Sequence, residues 1–293
     1  MTELLQQIAG GLATGCGYAG LALALAVIYE GTGLLNFAQG ALATVAAFGT
    51  WSLVAAGWSV WLAMPVMVAA SALLGALIER TLIRPVQGAS TLVVVSVTAA
   101  LLLGLTGLVA IVWDTDTHTL ASPFGSGTVA LGSVTLTAQQ LGSAATALVV
   151  MGLIGLFFRY TDLGLRMRAV AQNPDSAVLL GIRPGRMRAI AWAIAAAIGA
   201  VAGVMAAPTV GVSAGMMFSP LLLAFAAAAL GGFGSRVGAV VGGLIIGVAA
   251  ALAGRYIPGL GGDLSLAVPF AVIFAVLVIR PAGLFGRATA VRA

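Results

Sequence analysis

Few side chains in this sequence are suited to catalysis. The 293 residues include one histidine, His118, and one cysteine, Cys16, and every basic residue is an arginine. Without lysine the chain cannot form a Schiff base through a lysine amine, and it cannot complete a P-loop, whose pattern requires that residue. A single histidine and a single cysteine also cannot supply a metal cluster. The sequence therefore predicts a protein that is not an enzyme, binds no metal, and depends on another chain for any ATP hydrolysis.

Two amide side chains, Asn36 and Gln39, lie in an apolar stretch just after the GTG segment at 31–33. Glycine-flanked helix starts are tolerated at membrane depth only where protein or a water-filled cavity surrounds their backbone groups. Amides along a passage would offer a solute both hydrogen-bond donors and acceptors. Two interpretations stay open: the pair lines a translocation pathway, or it forms a helix cap with interhelical hydrogen bonds. In both, the side chains face the interior of the bundle.

The longest polar interruption, at 159–188, predicts a short surface helix. Asn173 is a favoured N-cap, Pro174 suits the first helical position, and Gly181 can end the helix. A helix of about two turns is marginal in water, so it needs a surface to dock on. That surface is either lipid, reached through the nearby arginines, or a groove on a soluble partner that passes its motion to the helix.

Glycine is abundant, with 40 residues, and many glycines recur at intervals of four. This spacing places small residues on one helix face, where they let helix backbones approach closely within a bilayer. The contact is either packing within this chain, a sliding interface, or a contact with a second membrane subunit. The predicted packing positions are Gly199, Gly203, Gly234, Gly238, Gly242, Gly243 and Gly247.

Membrane-spanning helices must position these residues. Hydrophobic residues make up 61% of the chain and charged residues 7%, against roughly 25% charged in soluble domains. Windows of roughly 20 apolar residues, which cross about 30 Å of hydrocarbon, predict an all-α polytopic transmembrane bundle of about eight or nine spans. The bundle forms a single domain over 1–293. The candidate spans are 8–29, 35–56, 60–79, 91–112, 137–158, 189–209, 219–235, 237–254 and 264–280.

Arginine sets the expected orientation, because cytoplasmic loops retain positive charge while translocated loops avoid it. Basic residues beside apolar spans act as anchors at the bilayer surface, so nucleic-acid binding is not expected despite a net charge of +5. We assign Arg236 to the cytoplasm together with three groups of arginines, at 80–84, 159–188 and 280–292.

The opposite face should be external. The segment 113–127 carries Asp114 and Asp116 but no arginine, and only Arg255 would share this side with it. This orientation places the N-terminus outside and the C-terminus in the cytoplasm. An eight-span version, with one re-entrant segment, would change the side of the N-terminus.

Ion-driven transport by the chain alone is the competing hypothesis. Carriers of that kind rely on ionisable residues deep in the membrane. Glu30 and Glu79 fall at the ends of predicted spans, and we assign both to the interface, where Glu79 can pair with Arg80 or Arg84. The lack of a clear deep carboxylate disfavours this mechanism.

Six segments, taken in order, resemble the LivH-type permeases of branched-chain amino acid ABC transporters over almost the whole chain. They read LLNFAQG at 34–40, ER with a following RPV at 79–86, GLRMRAVAQNPDSAVLLGI at 164–182, AAIGAVAGVMAAP at 196–208, LGGFGSRVGAVVGGLIIG at 230–247, and RPAGLFGR at 280–287. The resemblance implies a permease subunit of an ATP-driven importer in a prokaryotic plasma membrane. Its cargo would be branched-chain amino acids, or related amino acids, amides or urea.

The resemblance also implies partners. A LivM-like permease would pair with this chain, LivG-like and LivF-like ATPases would bind ATP and Mg, and an external solute-binding protein would deliver the solute. The chain itself would bind no cofactor. Closure of the ATPases would push on the cytoplasmic loop helix. The coupling residues implied in this way are Arg168, Ala169, Asn173, Asp175, Ala177, Leu180, Gly181 and Ile182.

Overall fold

A computed structural model describes residues 2–132, 134–257, 267–280 and 283–286. Within those ranges the chain forms α-helices and one β-hairpin, joined by turns and by a longer irregular segment at 114–127. The helices are α1 (Thr2–Thr32), α2 (Gln39–Ala55), α3 (Val60–Ile78), α4 (Thr91–Trp113), α5 (Ala138–Tyr160), α6 (Asp162–Gln172), α7 (Pro174–Leu179), α8 (Pro184–Val210), α9 (Phe218–Gly231), α10 (Arg236–Tyr256) and α11 (Ala267–Ile279). A π-helical turn (Glu79–Ile83) and a 3-10 turn (Arg84–Val86) extend α3, and the hairpin pairs β1 (Thr128–Leu131) with β2 (Val134–Thr137).

Helix length and composition confirm a multi-pass membrane protein. Six helices are long and apolar enough to cross a membrane: α1, α3 with its two turns, α4, α5, α8 and α10. By contrast, α2 and α9 are apolar but have only 17 and 14 residues, or about 25 and 21 Å at 1.5 Å per residue. Neither can cross about 30 Å of hydrocarbon as a straight helix. The count of eight or nine spans stays a prediction.

The bundle has two distinct ends. At the first, the side chain of Gln6 in α1 makes two hydrogen bonds, of 2.6 and 2.8 Å, to the backbone of Thr135 in β2. Glu3 forms an ion pair there with Arg255 in the last turn of α10. At the second, α6 and α7 pack beside α8, which begins there. We refer to these as the hairpin end and the α6–α7 end.

The two shorter helices begin inside the bundle. A Cβ atom on Gly40, in the first turn of α2, would stand 3.2 Å from the carbonyl oxygen of Met217, just before α9. From there α2 runs to the hairpin end, where Ser52 accepts a hydrogen bond of 2.6 Å from the indole of Trp113. The other helix, α9, runs to the α6–α7 end, where Gly231 contacts the first turn of α10. The starts of α2 and α9 therefore meet in the interior.

Close helix packing centres on α1, whose residues 19–28 are all buried. Six of the predicted packing glycines lie at contacts where an added Cβ would collide with an atom of a neighbouring helix. At five of these positions the nearest neighbour is backbone, as the four-residue spacing predicts, and at Gly199 it is the Gln39 side chain. They join α8 to α2 at Gly199 and Gly203, α10 to α9 at Gly238 and Gly242, and α10 to α1 at Gly243 and Gly247.

The predicted packing role of Gly234 is wrong. This glycine precedes α10, which begins at Arg236, and a Cβ atom on it would meet nothing within 4 Å. The interval from Gly234 to Gly238 therefore crosses a helix boundary and is not helical spacing. Ser235 marks that boundary, because its hydroxyl accepts a hydrogen bond of 3.0 Å from the Gly238 N–H as an N-cap does.

The β-hairpin departs from the all-α expectation. Its strands read TVAL and VTLT, which are rich in β-branched residues, and Gly132 between them has a φ of +64°. The strands pair antiparallel, with Thr128 opposite Thr137. Thr137 then caps α5, because its hydroxyl accepts from the Gln140 N–H while the Gln140 side chain accepts from the Thr137 N–H.

Parts of three predictions lie outside the described residues. They are the first residues of the ninth candidate span, 264–266, the arginines at 287 and 292 in the third cytoplasmic group, and residues 281, 282 and 287 of the segment RPAGLFGR. The described part of that region contains α11, which is followed directly by Arg280.

Candidate coupling and translocation sites

Local capping defines the polar loop at 159–188. The Asn173 side chain accepts a hydrogen bond of 3.0 Å from the Ser176 N–H, and α7 begins at Pro174. After α7, Gly181 adopts a φ of +75°, a conformation that favours glycine. The short helix predicted from this capping pattern is confirmed, although with six residues it is shorter than the expected two turns.

A second helix in this loop, α6, was not predicted. Its N-cap is Thr161, whose hydroxyl accepts a hydrogen bond of 3.0 Å from the Gly164 N–H. Threonine followed by Asp162 is a typical helix start, so the sequence did carry the signal. Met167 and Val170 of α6 are buried in the same apolar cluster as Met187 of α8. The loop is therefore anchored on the bundle through α6.

The surface of α7 is apolar and open to solvent. Leu179 is 88% exposed and Leu180 is 77% exposed, while Ala177 is 2% exposed and faces the bundle. Exposed apolar side chains at this density mark an interaction surface more often than an isolated exposed leucine does. This arrangement gives α7 one face that holds it to the protein and another that is available to a partner.

The predicted coupling residues surround this surface but differ in exposure. Asn173, Asp175, Leu180 and Gly181 are exposed, while Arg168, Ala169 and Ile182 are half-buried. The structure brings all eight residues, including buried Ala177, into two consecutive helices and the turn that follows them. Their role in coupling stays a prediction.

An ion pair links α1 to α10 beside α6. Arg236 Nη1 lies 2.9 Å from Glu30 Oε2, and the Arg236 guanidinium stacks 3.9 Å from the ring centroid of Phe158 in α5. Salt screens a partly buried pair of this kind less than it screens an exposed surface pair. The junction therefore joins α1, α5 and α10 next to α6.

A second ion cluster joins α3 to α8. Glu79, assigned to the interface from the sequence, is fully buried, and Arg84 lies 2.9 Å from its carboxylate while Arg80 is exposed. Arg84 also donates a hydrogen bond of 2.8 Å to the Gly185 carbonyl, and Arg188 lies 4.0 Å from Glu79. The predicted pairing with Arg84 is therefore confirmed, and Arg188 of α8 adds a second arginine beside the carboxylate. The position of Glu79 at the membrane interface stays a prediction.

Asn36 and Gln39 are buried and hydrogen-bonded at the start of α2. The Asn36 side chain donates to Gln39 Oε1 at 3.1 Å and accepts from the Ala38 N–H at 3.0 Å. Gln39 Nε2 donates to the Ala195 carbonyl of α8 at 2.8 Å. The pair faces the bundle, and the contacts supply the local turn and the interhelical bond of the second interpretation. A role in the translocation pathway stays a prediction.

The sequence did not single out a cavity of about 170 Å³ between α1, α5 and α8. Its lining is largely small and apolar, but hydroxyl groups of Thr14, Tyr18, Ser143 and Thr209 contribute to it. Elsewhere, α4 and α11 expose large apolar side chains such as Ile111 and Phe274, as surfaces in contact with lipid do. The hydroxyl-bearing groove is therefore a second candidate for the solute's path.

The described residues do not bring three or more His, Cys, Asp or Glu side chains together as a metal site.

Comparison with known proteins gives the family. Residues 7–277 match the family described as "Branched-chain amino acid transport system / permease component". Members of this family are not catalytic themselves, and ATP hydrolysis resides in separate subunits.

Three curated relatives match nearly end to end. The chain is 31% identical to the high-affinity branched-chain amino acid transport system permease protein LivH of Salmonella typhimurium, and 31% identical to LivH of Escherichia coli K12. It is 32% identical to the corresponding permease protein BraD of Pseudomonas aeruginosa. Each alignment covers 97% of this chain and 96% of the relative. The chain therefore belongs to the family of branched-chain amino acid transport permease components.

Proposed function

We propose that this chain is the membrane-spanning subunit of an ATP-driven importer of branched-chain amino acids, or of related amino acids, amides or urea. Family membership supports both the cargo and the need for separate ATPase subunits. The observation that carries the coupling mechanism is the exposure of Leu179 and Leu180 between two long apolar helices. A groove on an ATPase would bury both leucines and hold α7 in a defined position.

Lipid is the competing surface for α7. The binding of a helix in a membrane interface scales with the apolar area that it buries, and the six residues of α7 offer little such area. The firm attachment of α6 to the bundle instead suits a part that receives force. If the ATPases bind two positions of α6 and α7 with different affinity, ATP binding and hydrolysis shift the permease between outward-open and inward-open states.

The proposed assembly has four kinds of partner. A related LivM-like permease pairs with this chain in the bilayer, and LivG-like and LivF-like ATPases bind at the α6–α7 end. An external solute-binding protein docks at the hairpin end and selects the solute. Selection by that protein allows the permease itself to be only loosely selective, which suits an interior of small apolar residues and a few amides and hydroxyls.

We propose that the α6–α7 end faces the cytoplasm. It carries the arginines of α6 and of the ends of α3 and α5, with those at the starts of α8 and α10. The hairpin end carries Glu3, Asp114 and Asp116, with Arg255. Positive charge is retained on the cytoplasmic side, so this asymmetry supports the orientation. Arg280, directly after α11, then lies on the cytoplasmic side, as does the C-terminus.

The proposed topology has nine passes. Six long helices each account for one, and the predicted span 264–280, whose described part is α11, accounts for another. The other two combine a shorter helix with nonhelical backbone: α2 with residues 33–38, and α9 with residues 211–217. Nonhelical backbone at this depth is tolerated where protein surrounds it, as at buried Asn36. An odd number of passes places the two termini on opposite sides.

The proposed solute path passes the meeting point of α2 and α9. Helix N-termini in discontinuous transporter helices favour anionic groups such as a substrate carboxylate. Asn36 and Gln39 stand at this point, and movement of α8 away from α2 would release the Gln39 amide from Ala195. The hydroxyl-bearing groove between α1, α5 and α8 would supply the outer part of the path.

The decisive experiment reconstitutes the complete importer in vesicles and compares Leu180→Asp with the wild type. We expect ATP-driven leucine uptake to fall at least tenfold while the chain still inserts and the ATPases still hydrolyse ATP, because a charge in an apolar groove disrupts docking. Leu180→Met is the matched control and should retain most of the uptake. Unchanged uptake in Leu180→Asp would contradict the proposed coupling surface.

A second measurement separates this function from that of a self-sufficient carrier. The chain alone is reconstituted without ATPases, and leucine uptake is followed with and without an ion gradient. We expect no concentrative uptake, because the power comes from other subunits. Concentrative uptake by the single polypeptide would overturn the proposal.

A further inference from the structure

A cavity of about 360 Å³ opens at the α6–α7 end, apart from the leucine surface of α7. Three parts of the chain enclose it: the end of α1, the turn that leads into α4, and the junction of α6 with α7. Glu30 and Arg188 both line it, and each comes from a different ion cluster. The cavity therefore presents both signs of charge.

Arg188 provides the positive side. Its Nε atom is buried and has no hydrogen-bond partner among the described residues. Its nearest carboxylate, Glu79 at 4.0 Å, is already engaged by Arg84 at 2.9 Å. Two guanidinium groups thus face one carboxylate, which leaves one positive charge to be balanced. Thr91, in the first turn of α4, also lines the cavity; the N–H groups of Thr91 and Leu92 have no helical acceptor, while those of Val93 and Val94 donate to the Ser90 carbonyl. A carboxylate ligand fits these donors.

Glu30 and the last turn of α1 provide the negative side. Only Oε2 of Glu30 is needed for its ion pair with Arg236, so the carboxylate has a second oxygen to offer. Gly31 and Thr32 also line the cavity and belong to the last turn of α1, where carbonyl groups lack helical partners. This end of a helix favours a cation. An ammonium group fits these acceptors.

The rest of the lining is mainly apolar. Leu34, Val94, Val170 and Pro174 contribute side chains, and the volume lies within the range of about 300–1,000 Å³ typical of small-molecule sites. Val94 and Val170 are buried, so they form the floor of the cavity. A ligand with an ammonium group, a carboxylate and an aliphatic side chain would satisfy all three parts of the lining.

We propose that this cavity binds a free aliphatic α-amino acid in its zwitterionic form. The inference rests on the proposed function for its direction, because that function places the cavity on the cytoplasmic side. Val170 and Pro174 belong to α6 and α7, so an occupied cavity restrains the two helices that receive force from the ATPases. Amino acid that accumulates inside the cell then slows further import.

The test uses the complete importer in vesicles that are loaded with millimolar leucine or left empty. For each variant, the initial rate of ATP-driven uptake of external labelled leucine is measured in both kinds of vesicle. The rate in empty vesicles divided by the rate in loaded vesicles gives a ratio that rises with inhibition by internal leucine. We expect a ratio of at least fivefold for the wild type and below twofold for Arg188→Gln. Arg188→Lys should restore most of the ratio, because it keeps the charge.

Two further variants separate binding from folding. Ala89→Trp fills the cavity from the exposed turn before α4 without removing a charge, and its ratio should also fall below twofold. Arg186→Gln is the matched control, because Arg186 is exposed in the first turn of α8 and does not line the cavity. It should keep the wild-type ratio. Inhibition that persists unchanged in both Arg188→Gln and Ala89→Trp would overturn the proposal.

The ligand class is tested by changing what the vesicles contain. Isoamylamine lacks the carboxylate and 4-methylpentanoate lacks the ammonium group, so neither alone should inhibit. Inhibition by inorganic phosphate or by 4-methylpentanoate equal to that by leucine would show a general anion site and overturn the proposal.

Direct binding separates this inference from the proposed function. Labelled leucine should bind the detergent-solubilised complex without the external binding protein, and Arg188→Gln should lower that affinity at least tenfold. A wild-type complex without ATP-driven uptake would refute the proposed function, while leucine binding that depends on Arg188 would still support the cavity site. Uptake without leucine binding or internal inhibition would refute the cavity site alone.

Discussion

The start of α2 and the surface of α7 differ in how their side chains are satisfied. Asn36 and Gln39 are almost completely buried, and their amides bond to each other, to the local backbone and to α8. Leu179 and Leu180, in contrast, expose most of their apolar surface and have no covering helix in the described part of the chain. The interior contacts are completed within this chain, whereas the α7 leucines are left uncovered, as the proposed docking of an ATPase requires. Substitutions should therefore affect stability in the first region and coupling in the second.

The largest loss of stability is expected for Gly203→Val. This glycine of α8 lies against the backbone of Ala43 in α2, so a branched side chain would force the two helices apart. Overpacking of this kind costs about 1–3 kcal/mol or more. Thermal unfolding of the detergent-solubilised complex should shift clearly downward. An unshifted transition would show that α2 and α8 are not held at backbone contact.

A smaller loss is expected for Gln39→Leu. The substitution removes the hydrogen bond to the Ala195 carbonyl and leaves buried polar groups without a partner, which costs about 1–2 kcal/mol. The same thermal measurement should register it, with Gln39→Glu as a more disruptive comparison because it adds a buried charge. If Gln39→Leu were as stable as the wild type but inactive in uptake, the side chain would act on the solute and not on the helix contact.

Little loss of stability is expected for Leu179→Asp, although uptake should fall several-fold. An exposed side chain contributes little to the folded chain, while a charge would oppose burial in a partner's groove. Unfolding and uptake should be measured on the same preparation. A large drop in unfolding temperature would mean that Leu179 is covered within the permease, and the contrast between the two regions would disappear.

The smallest effect is expected for Gly234→Ala. A Cβ atom at this position meets nothing within 4 Å, so the free energy of unfolding should change by no more than about 0.5 kcal/mol. The rate of uptake should stay close to that of the wild type. Gly242→Ala is the contrasting variant, because its Cβ would collide with Ala227 of α9. Equal stability of the two variants would contradict the assignment of Gly242 to a packed face and Gly234 to a turn.

Local features were predictable from the sequence. The N-cap at Asn173 and the left-handed Gly181 depend on a few neighbouring residues, and both were found where expected. Thr161 and Ser235 carried similar capping signals, so α6 and the boundary that excludes Gly234 could have been predicted as well. The glycine spacing identified six real packing positions because its period matches that of a helix.

Features that depend on distant residues were not predictable. The pairing of Glu79 with Arg84, five positions later, could be predicted, but Arg188 lies more than a hundred positions later and no local pattern indicates its contact with Glu79. The sequence also does not show that α2 and α9 are too short to span the membrane. An apolar window looks the same whether its helix starts at the surface or inside the bundle. The two cavities are formed by helices far apart in sequence and appear only in three dimensions.

The pairing of α1 with α10 has a mechanical consequence. Their backbones touch at Gly15 and Gly247, and ion pairs fasten both extremities of the seam, Glu3 to Arg255 at one and Glu30 to Arg236 at the other. The backbone contact and the partly buried pair at Glu30 oppose sliding of one helix past the other, while the exposed pair at Glu3 adds little. A force applied near Glu30 would thus move α1 and α10 together, and the displacement would reach the opposite surface about 46 Å away along α1.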